Sequence, residues 1–299
     1  MIALSTAYNI SKHNDARSLI LDIKELGFSS VELNVEVPAG FIPEIARELK
    51  VVSVHNFCPK VDRVPPGKTI YSPYNISSTD EAERELAVKL TIKTVDTAAN
   101  TGASAIVIHA GEVVTGFTGR MLAKIYNETK GGSDYAKKLS EFRSQRSAES
   151  GKYVGNVISS LDKILNYAVK KKVKLGIENR FWSNEIPSIE EFGAIFEELD
   201  SEFIGLWYDV GHAVIAEKQG MAKDRLDFLK NYGDKLVGVH LHDVVDVYDH
   251  KAPGTGDVDF KKMAGYFTAG AVLVNETHPA AAREDLRKST EYLKSCGIT

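Results

Sequence analysis

The chain has 299 residues, of which 43% are hydrophobic and 26% are charged, and its formal net charge is -4 at pH 7. This length suits one large α/β barrel or two ordinary domains, and the composition is that of a globular protein with a sizeable core. The slight excess of acidic residues gives no global attraction to nucleic acid or to anionic membranes, and it argues against both as partners.

The cysteines and the start of the chain indicate the cellular compartment. Cys58 and Cys296 are far apart and follow no metal-binding or redox spacing, which favours a reducing, cytoplasmic location. Residues 1–6 show no basic stretch followed by an apolar one, so we expect no signal peptide. No apolar run approaches the length that spans a bilayer, so we expect no membrane partner.

Short, β-branched apolar runs recur along the chain, separated by segments with apolar residues three or four positions apart. The predicted strands are Ile2–Thr6, Ser30–Val35, Val51–Asn56, Ala105–Gly111, Val173–Asn179, Ile204–Asp209, Val237–Asp243 and Ala271–Glu276. The clearest predicted helices are Asp15–Leu26, Asp80–Asn100 and Val154–Lys170. Ser188 before Ile-Glu-Glu predicts the capped start of another helix.

The alternation of strands and helices predicts parallel strands joined by crossovers. Eight such units without a linker rich in Pro, Gly or Ser predict one α/β domain over residues 1–299. We expect a single closed (β/α)8 TIM barrel. An open, doubly wound sheet with two extra strands is the alternative architecture.

Two segments are too long for ordinary connections between a strand and a helix. Residues 57–79 contain Pro65, Pro66 and Pro73, and residues 112–152 contain a Gly-Gly-Ser turn and a polar run. Long loops in compact domains are usually lids or binding elements. We expect both to cover the carboxyl-terminal face of the barrel, where the active sites of this fold lie.

Histidines and acids gather at the ends of the predicted strands. Three acids have this placement: Glu178 in Gly-Ile-Glu-Asn-Arg, Asp209 in Asp-Val-Gly-His and Glu276 in Asn-Glu-Thr-His. In a parallel barrel all these ends meet on one face. Imidazoles and carboxylates gathered there predict a divalent metal site. The histidines at strand ends are His55, His109, His212, His240, His242, His250 and His278, with His13 as the exception.

Alternation along the strands supports an inward-facing site. In the fifth strand Glu178 shares the inward direction of Gly176, and a carboxylate among apolar layers is costly unless it meets a cation or a donor. In the seventh strand His240 and His242 both face inward, so alternation does not choose between them.

Eight short motifs occur in a fixed order along the chain. They are Ser30-Val-Glu-Leu-Asn34, Ser53-Val-His55, Ile108-His-Ala-Gly111, Gly176-Ile-Glu-Asn179, Asp209-Val-Gly-His212, Val239-His-Leu-His-Asp243, the Pro253-Gly-Thr-Gly256 turn and Asn275-Glu276. By the order and spacing of these motifs, essentially the whole chain resembles the xylose isomerase-like TIM-barrel superfamily. That superfamily holds sugar isomerases and epimerases, inosose dehydratase-type enzymes and endonuclease IV-type DNA repair enzymes.

The resemblance implies a divalent cation bound by Glu178, Asp209, His240 and Glu276. His240 is preferred as the ligand because the family pattern reads His-x-x-Asp, and His242 is the alternate. The expected ion is Mn, Mg, Co or Zn, because mixed carboxylate and imidazole ligands do not select among these.

In the sugar isomerases and epimerases that the chain resembles, one divalent ion polarises the oxygens of an open-chain sugar while two carboxylates move a proton at the adjacent carbon through an enediolate. The resemblance assigns these carboxylates to Glu178 and Glu276, on opposite sides of the pocket. Further residues are expected to bind the substrate, and their alternative roles are ordinary loop packing and closure of the barrel rim. The residues expected to bind the sugar or sugar phosphate are Arg180, Trp182, Glu32 and Asn34.

Five further histidines are available to a second metal or to the substrate. If His55 and His109 of the third and fourth strands bind metal together with His250 near the Gly turn, more than one ion is expected. Zinc is then favoured because imidazole suits it. These five residues are His55, His109, His212, His242 and His250.

The alternative function is hydrolysis of phosphodiesters at abasic DNA sites, as in endonuclease IV-type enzymes, which use three metals. Their pattern adds two histidines from the third and fourth strands and an Asp-x-His pair, at which this chain has Tyr248 and His250. Tyr248 does not replace a carboxylate ligand, and Asp249 or Asp246 would compensate only with a shifted loop. This departure and the acidic charge argue against a complete three-metal cluster on DNA.

A third hypothesis is a barrel that binds a ligand or protein partner through a vestigial site. The intact acid pair Glu178 and Glu276 argues against it. Superfamily members often self-associate, so a homo-oligomer is expected.

Overall fold

The structure is a computed structural model that describes residues 1–299. It contains ten β-strands. They are β1 (Ile2–Ser5), β2 (Ser30–Leu33), β3 (Lys50–His55), β4 (Ala105–Ile108), β5 (Lys174–Glu178), β6 (Ile204–Asp209), β7 (Leu236–Leu241), β8 (Asp243–Val245), β9 (Tyr248–Lys251) and β10 (Val272–Asn275).

Eight of these strands pair in parallel and form a closed barrel in the order β1-β10-β7-β6-β5-β4-β3-β2. The barrel closes where β1 pairs with β10, with Ala3 opposite Val274. β8 and β9 form a separate antiparallel hairpin after β7. The predicted (β/α)8 barrel is confirmed, and the alternative of an open sheet is wrong.

Ten α-helices accompany the strands. Ser188 caps α6 as predicted: its side chain accepts the N–H of Glu191, whose own side chain accepts the N–H of Ser188. None of the helices combines the length and the apolarity needed to cross a membrane. The helices are α1 (Ala16–Glu25), α2 (Ile42–Glu48), α3 (Glu81–Thr101), α4 (Gly119–Thr129), α5 (Ser133–Lys171), α6 (Ile189–Glu198), α7 (Val210–Lys218), α8 (Asp227–Tyr232), α9 (Phe260–Ala264) and α10 (Arg283–Ser295).

Trp207 fills the barrel below the strand ends. It lies on β6, is fully buried, and has glycines on the neighbouring strands β5 and β7. A Cβ at Gly176 would lie 2.7 Å from its ring, and a Cβ at Gly238 would lie 2.3 Å from it. The edge of the indole meets His240, with ring centroids 5.2 Å apart. Trp207 therefore forms the apolar floor beneath the polar residues at the strand ends.

Residues 112–152 differ from the prediction, because most of them are helical and not loop. α4 and the first half of α5 pack on each other around buried side chains that include Tyr135, Leu139 and Phe142. These three residues recur every three or four positions, which is a helical stripe hidden by the polar residues around it. The Tyr135 hydroxyl donates to the Gln219 carbonyl at 2.6 Å, which ties the helical pair to the end of α7.

Asp22 joins the first and last helices of the barrel. Its carboxylate accepts a hydrogen bond from Asn9 Nδ2 at 2.7 Å, pairs with Arg283 on α10, and lies 3.2 Å from Nε2 of His13. Burial opposes ionisation, but hydrogen bonds from Asn9, Arg283 and His13 lower the pKa of Asp22 below its ordinary value. The ion pair therefore favours the folded state when Asp22 is ionised.

Candidate metal centre and active site

The four ligands implied by the resemblance come from four neighbouring strands. Glu178 ends β5, Asp209 ends β6, His240 lies in β7, and Glu276 directly follows β10. All four side chains are buried, and their ligand atoms lie within 4.8 Å of one another. The two glutamates stand at the ends of an arc of four adjacent strands, not across the barrel from each other.

His240 presents one ring nitrogen to these carboxylates and the other to Glu32. Nδ1 lies 2.9 Å from Oε1 of Glu178 and 3.0 Å from Oε2 of Glu276. Nε2 donates to Oε1 of Glu32 at 3.1 Å. Metal-binding histidines usually donate their second nitrogen to a carboxylate, which fixes the ring and makes the first nitrogen more basic. Glu32 thus holds the His240 ring with Nδ1 toward Glu178 and Glu276, which is the arrangement expected of a metal-binding histidine.

Glu32, a predicted substrate contact, lies beneath the cleft and not in its wall. Its side chain is fully buried beside His240, and it accepts a hydrogen bond from Oγ of Ser53 at 2.8 Å. It does not line the cleft above the metal centre. The inward direction of Glu32 follows from alternation along β2, but its depth in the barrel depends on how the strands are staggered.

The electrostatics of the centre keep its glutamates ionised. Burial would raise the pKa of Glu178, but the charge of Arg180 and hydrogen bonds from His109 and His240 lower it well below its ordinary value. Burial opposes ionisation of Glu276 in the same way, and His240 outweighs it, so this pKa is also well below normal. Both carboxylates are therefore charged near neutral pH and available as ligands or bases.

The carboxylates around His240 favour a positive charge at this centre. Burial opposes protonation, but Glu276 and Glu32 raise the pKa of His240 well above its ordinary value. Three carboxylates and one imidazole are a donor set that fits Mn, Mg, Co or Zn. A divalent cation held by these residues would replace the proton on Nδ1 of His240, so its uptake releases a proton.

His242 supports Asp209 from behind. Its Nε2 lies 2.9 and 3.0 Å from the two carboxylate oxygens of Asp209. Its Nδ1 accepts the backbone N–H of His250 at 2.9 Å and so carries no proton. The neutral ring therefore carries its proton on Nε2 and donates it to Asp209. His242, the alternate ligand of the sequence prediction, therefore lies behind Asp209 as a hydrogen-bond donor to its carboxylate.

His242, His250 and His278 form a column of stacked rings. Their centroids are 4.2 and 3.6 Å apart, and the ring planes lie within 10° and 11° of parallel. Because the lone pair of a ring nitrogen lies in the ring plane, two stacked rings do not direct lone pairs at a common ion. Two further groups of residues have ligand atoms close together, but the stacking of their histidine rings argues against either group as a second metal site. These groups are Asp209, His212, His242 and His250, and His250, Glu276 and His278.

His55, His109 and Glu178 form another group of close ligand atoms. Nε2 of His109 lies 2.5 Å from Oε2 of Glu178, and the rings of His55 and His109 have centroids 4.7 Å apart. Nη1 of Arg180 reaches the same two atoms, at 3.0 Å from His109 and 2.8 Å from Glu178. Burial, together with Arg180, lowers the pKa of His109 to about 3, so this imidazole is neutral.

Asp249 brings a carboxylate to two of the remaining histidines. Its Oδ1 lies 3.1 Å from Nδ1 of His250, and its Oδ2 lies 3.7 Å from Nε2 of His212. Tyr248, at the position where the nuclease pattern has an acid, is 63% exposed. The β8–β9 hairpin thus turns the neighbouring acid, and not Tyr248, toward the site.

A cleft of about 540 Å³ opens above the four ligands. Its walls include residues 67–75, the start of α4 and the loop between β5 and α6. Asn34, Arg180 and Trp182, three of the predicted substrate contacts, line it, and only three of its 24 lining residues are hydrophobic. The volume is that of a small-molecule site. The polar lining suits a ligand with many hydroxyl groups.

Two residues that shape the site were not predicted. Glu185 accepts Nε of Arg180 at 3.0 Å and the N–H of Trp182 at 3.1 Å. It lies in an irregular loop, where neither alternation nor spacing indicates a side-chain direction. His278 was placed at a strand end but given no role, and its stacking on His250 depends on the path of the hairpin.

Residues 20–296 match the sequence profile described as xylose isomerase-like TIM barrel. A stretch of 102 residues is 26% identical to the uncharacterized protein y4fM of Sinorhizobium fredii, covering 34% of this chain and 31% of that one. A stretch of 169 residues is 26% identical to the inosose dehydratase of Geobacillus thermodenitrificans, covering 48% of this chain and 54% of that one. The matches thus span about a third to a half of these curated relatives.

Two solved structures superpose over almost the whole chain. A D-tagatose 3-epimerase-like protein is 20% identical with a TM-score of 0.67, covering 99% of this chain and 96% of that one. The apo form of 3-keto-D-glucoside 4-epimerase YcjR from E. coli is 16% identical with a TM-score of 0.68, covering 99% of both chains. At these identities the likeness shows a shared fold. Since the profile match covers nearly the entire sequence, the chain belongs to the xylose isomerase-like TIM barrel family.

Proposed function

We propose that this protein is a metal-dependent sugar isomerase or epimerase that moves a proton on the carbon next to a carbonyl group. The observation that carries the proposal is the convergence of Glu178, Asp209, His240 and Glu276 on one buried centre beneath a small polar cleft. The substrate is a free or phosphorylated sugar in its open-chain form.

The chain's own residues supply the binding and the proton transfer. Asp209 and His240 would hold a divalent cation together with the two glutamates, and His242 and Glu32 fix Asp209 and His240 by hydrogen bonds. When bound, the cation supplies positive charge that stabilises the developing enediolate.

Glu178 and Glu276 are ionised and stand at the two ends of the ligand arc. One of them accepts the proton from the carbon next to the carbonyl, and the C–H electron pair passes into the enediolate. The other carboxylate takes up a proton from water and delivers it to the opposite face of the same carbon, which gives the epimer, while the first carboxyl group releases its proton to water. Return of the proton to the neighbouring carbon gives the isomer.

The cleft supports a polyhydroxylated substrate. The Arg180 guanidinium and the Asn34 amide offer polar contacts, and the Trp182 ring offers a flat apolar surface for the face of a sugar. The chain shares its fold with proteins named as a D-tagatose 3-epimerase-like protein and a 3-keto-D-glucoside 4-epimerase. These names support sugar chemistry as the function.

Phosphodiester hydrolysis at abasic DNA sites is the second candidate. The extra ligand atoms of His55 and His109 and the carboxylate of Asp249 favour it, because that chemistry uses several cations. The walls formed by residues 67–75 and by α4 leave a cleft of about 540 Å³, which suits a small molecule better than a duplex. The net charge of -4 also opposes binding to a polyanion.

The two candidates are separated by paired assays on the same preparation. The metal-free protein is loaded separately with Mn2+, Mg2+, Co2+ or Zn2+ and incubated with a panel of ketoses and ketose phosphates in deuterated water. We expect deuterium to enter the carbon next to the carbonyl of at least one sugar, as measured by NMR. A parallel assay offers a duplex with an abasic site. Nicking of the duplex without sugar exchange would reverse the assignment.

A further inference from the structure

Arg180 is placed where a second cation would bind. His55, His109 and Glu178 have the residue types and the proximity of a metal site. Nη1 of Arg180 donates into this group, 2.8 Å from Oε2 of Glu178 and 3.0 Å from Nε2 of His109. We propose that the Arg180 guanidinium is the resident positive charge of this group, so that the protein holds one divalent cation, at the four-ligand centre, and not two.

The hydrogen-bond pattern around His109 supports this assignment. Nε2 of His109 and Oε2 of Glu178 lie 2.5 Å apart, a separation that requires a positive group or a shared proton. Nε2 makes the polar contacts of the His109 ring, because Nδ1 is buried and has no hydrogen-bond partner, so a metal ion on this ring would bind at the atom that Arg180 already contacts. An imidazole nitrogen has one lone pair, so the guanidinium and a metal ion compete for it.

Arg180 is anchored in this position and does not sample solvent freely. Its side chain is 13% exposed, and Nε donates to Oε1 of Glu185 at 3.0 Å. Glu185 is itself fixed because its Oε2 accepts the N–H of Trp182 at 3.1 Å. A dication bound to His55 and His109 would have to displace the guanidinium from Glu178 or lie beside it, and two like charges in a buried site repel.

The arrangement also divides the two oxygens of Glu178 between two positive groups. Oε2 faces Arg180 and His109, while Oε1 faces Nδ1 of His240 in the four-ligand centre. Arg180 therefore leaves Glu178 one oxygen for the cation and fixes the direction of that oxygen. This role of Arg180 rests on one part of the proposed function, namely that the four-ligand centre binds a cation. A single-cation centre serves proton transfer on a sugar, whereas the hydrolytic alternative calls for several cations.

Metal stoichiometry tests the proposal independently of catalysis. Metal-free wild-type protein and the Arg180→Met variant are titrated with Zn2+ by calorimetry, and bound zinc is counted by elemental analysis after dialysis. We expect one tight equivalent in wild type and two in Arg180→Met. The matched control is Arg120→Met, because Arg120 lies at the cleft over the Trp182 ring, 5.8 Å from its centroid, and is not hydrogen-bonded to the ligand group. We expect one equivalent in this control.

Further variants test where the second ion binds and whether the substitutions disturb the fold. Adding His109→Ala to Arg180→Met is expected to return the count to one. Because Arg180→Met leaves Glu185 unpaired, the double variant Arg180→Met with Glu185→Gln is measured as well, with circular dichroism as the check on folding. We expect two equivalents here also. Two tight equivalents in wild type, or one in both folded variants that lack Arg180, would overturn the proposal.

The outcome is separable from the fate of the proposed function. One equivalent in wild type and two without Arg180, but no deuterium exchange into any sugar, would support the role of Arg180 and count against the isomerase or epimerase. Two equivalents in wild type with clear sugar exchange would support the isomerase or epimerase and count against the role of Arg180. No zinc uptake by wild type would contradict both.

Discussion

Gly211 leaves the space that the imidazole of His242 fills, since a Cβ at residue 211 would lie 2.0 Å from Cε1 of His242. The His242 ring cannot move away freely, because Nε2 is hydrogen-bonded to Asp209 and Nδ1 accepts the N–H of His250. The glycine of the Asp-Val-Gly-His motif thus acts on the proposed metal centre through His242 and Asp209. Residues that touch no substrate can in this way control the geometry of a ligand.

The first prediction is that Gly211→Ala weakens cation binding. Displacement of His242 removes the donor that orients Asp209, and loss of such a partner typically costs about 10- to 100-fold in metal affinity. Overpacking should also lower the free energy of unfolding by about 1–3 kcal/mol. Calorimetric zinc titration and thermal unfolding measure the two effects. Gly155→Ala is the control, because a Cβ at Gly155 on α5 meets no atom within 4 Å and should stabilise the helix by up to about 1 kcal/mol.

The second prediction concerns the partner of His240. Glu32→Gln keeps the shape of the side chain but removes the charge that accepts the Nε2 proton. The basicity of Nδ1 should fall, and zinc affinity should drop about 10- to 100-fold. The comparison variant is Glu36→Gln, because Glu36 lies just beyond the same strand and bonds to the Tyr71 hydroxyl and not to the metal centre. Equal affinities in the two variants would mean that Glu32 does not support the ligand.

The third prediction assigns the proton transfer. Glu276→Gln should reduce deuterium exchange into the substrate by about 10²- to 10⁴-fold, because the amide cannot accept a proton. The secondary structure and unfolding temperature should stay close to those of wild type. Glu284→Gln, an exposed change at the start of α10, is the control. Unchanged turnover in Glu276→Gln would remove this residue from the mechanism.

The fourth prediction is a pH-dependent stability. Since its partners lower the pKa of Asp22 in the folded protein, the stabilisation is present above the unfolded carboxyl pKa of about 3.9 and is lost as pH falls through the folded value. Asp22→Asn should therefore lower the free energy of unfolding by about 1–3 kcal/mol near pH 7. The difference from wild type should shrink below about pH 4. Urea unfolding at several pH values measures it.

The exposed Asp200 offers the matched control for this experiment. Its side chain is 89% exposed and lies 3.6 Å from Lys235. Asp200→Asn should change stability by no more than about 0.5 kcal/mol at any of these pH values. A gap between wild type and Asp22→Asn that stays constant from neutral to acidic pH would show that the ionised form of Asp22 is not what stabilises the fold.

The barrel could be predicted because each strand has its own local pattern. The predicted strand Val51–Asn56 differs from β3 by one residue at each end, and Ile204–Asp209 coincides with β6. The acids and histidines at strand ends then follow from topology, because parallel strands place all these ends on one face. Topology thus places these acids and histidines on one face, whereas the choice of Glu178, Asp209, His240 and Glu276 as one ligand set came from the family resemblance.

Details that depend on contacts between distant segments could not be predicted. The helical stripe of Tyr135, Leu139 and Phe142 has a partner only once α4 and α7 are in place, so residues 112–152 resembled a loop. The depth of Glu32 depends on the stagger of strands, and the direction of Arg180 depends on Glu185. Such features follow from tertiary packing, which local periodicity does not describe.

The most direct test of the metal centre is a crystal of the metal-free protein soaked with Zn2+, with anomalous diffraction recorded at the zinc edge. We predict a single strong peak about 2.0–2.2 Å from ligand atoms of Glu178, Asp209, His240 and Glu276. A zinc peak bound by other histidines alone, or no peak within reach of these four side chains, would contradict the central claim that they share one cation.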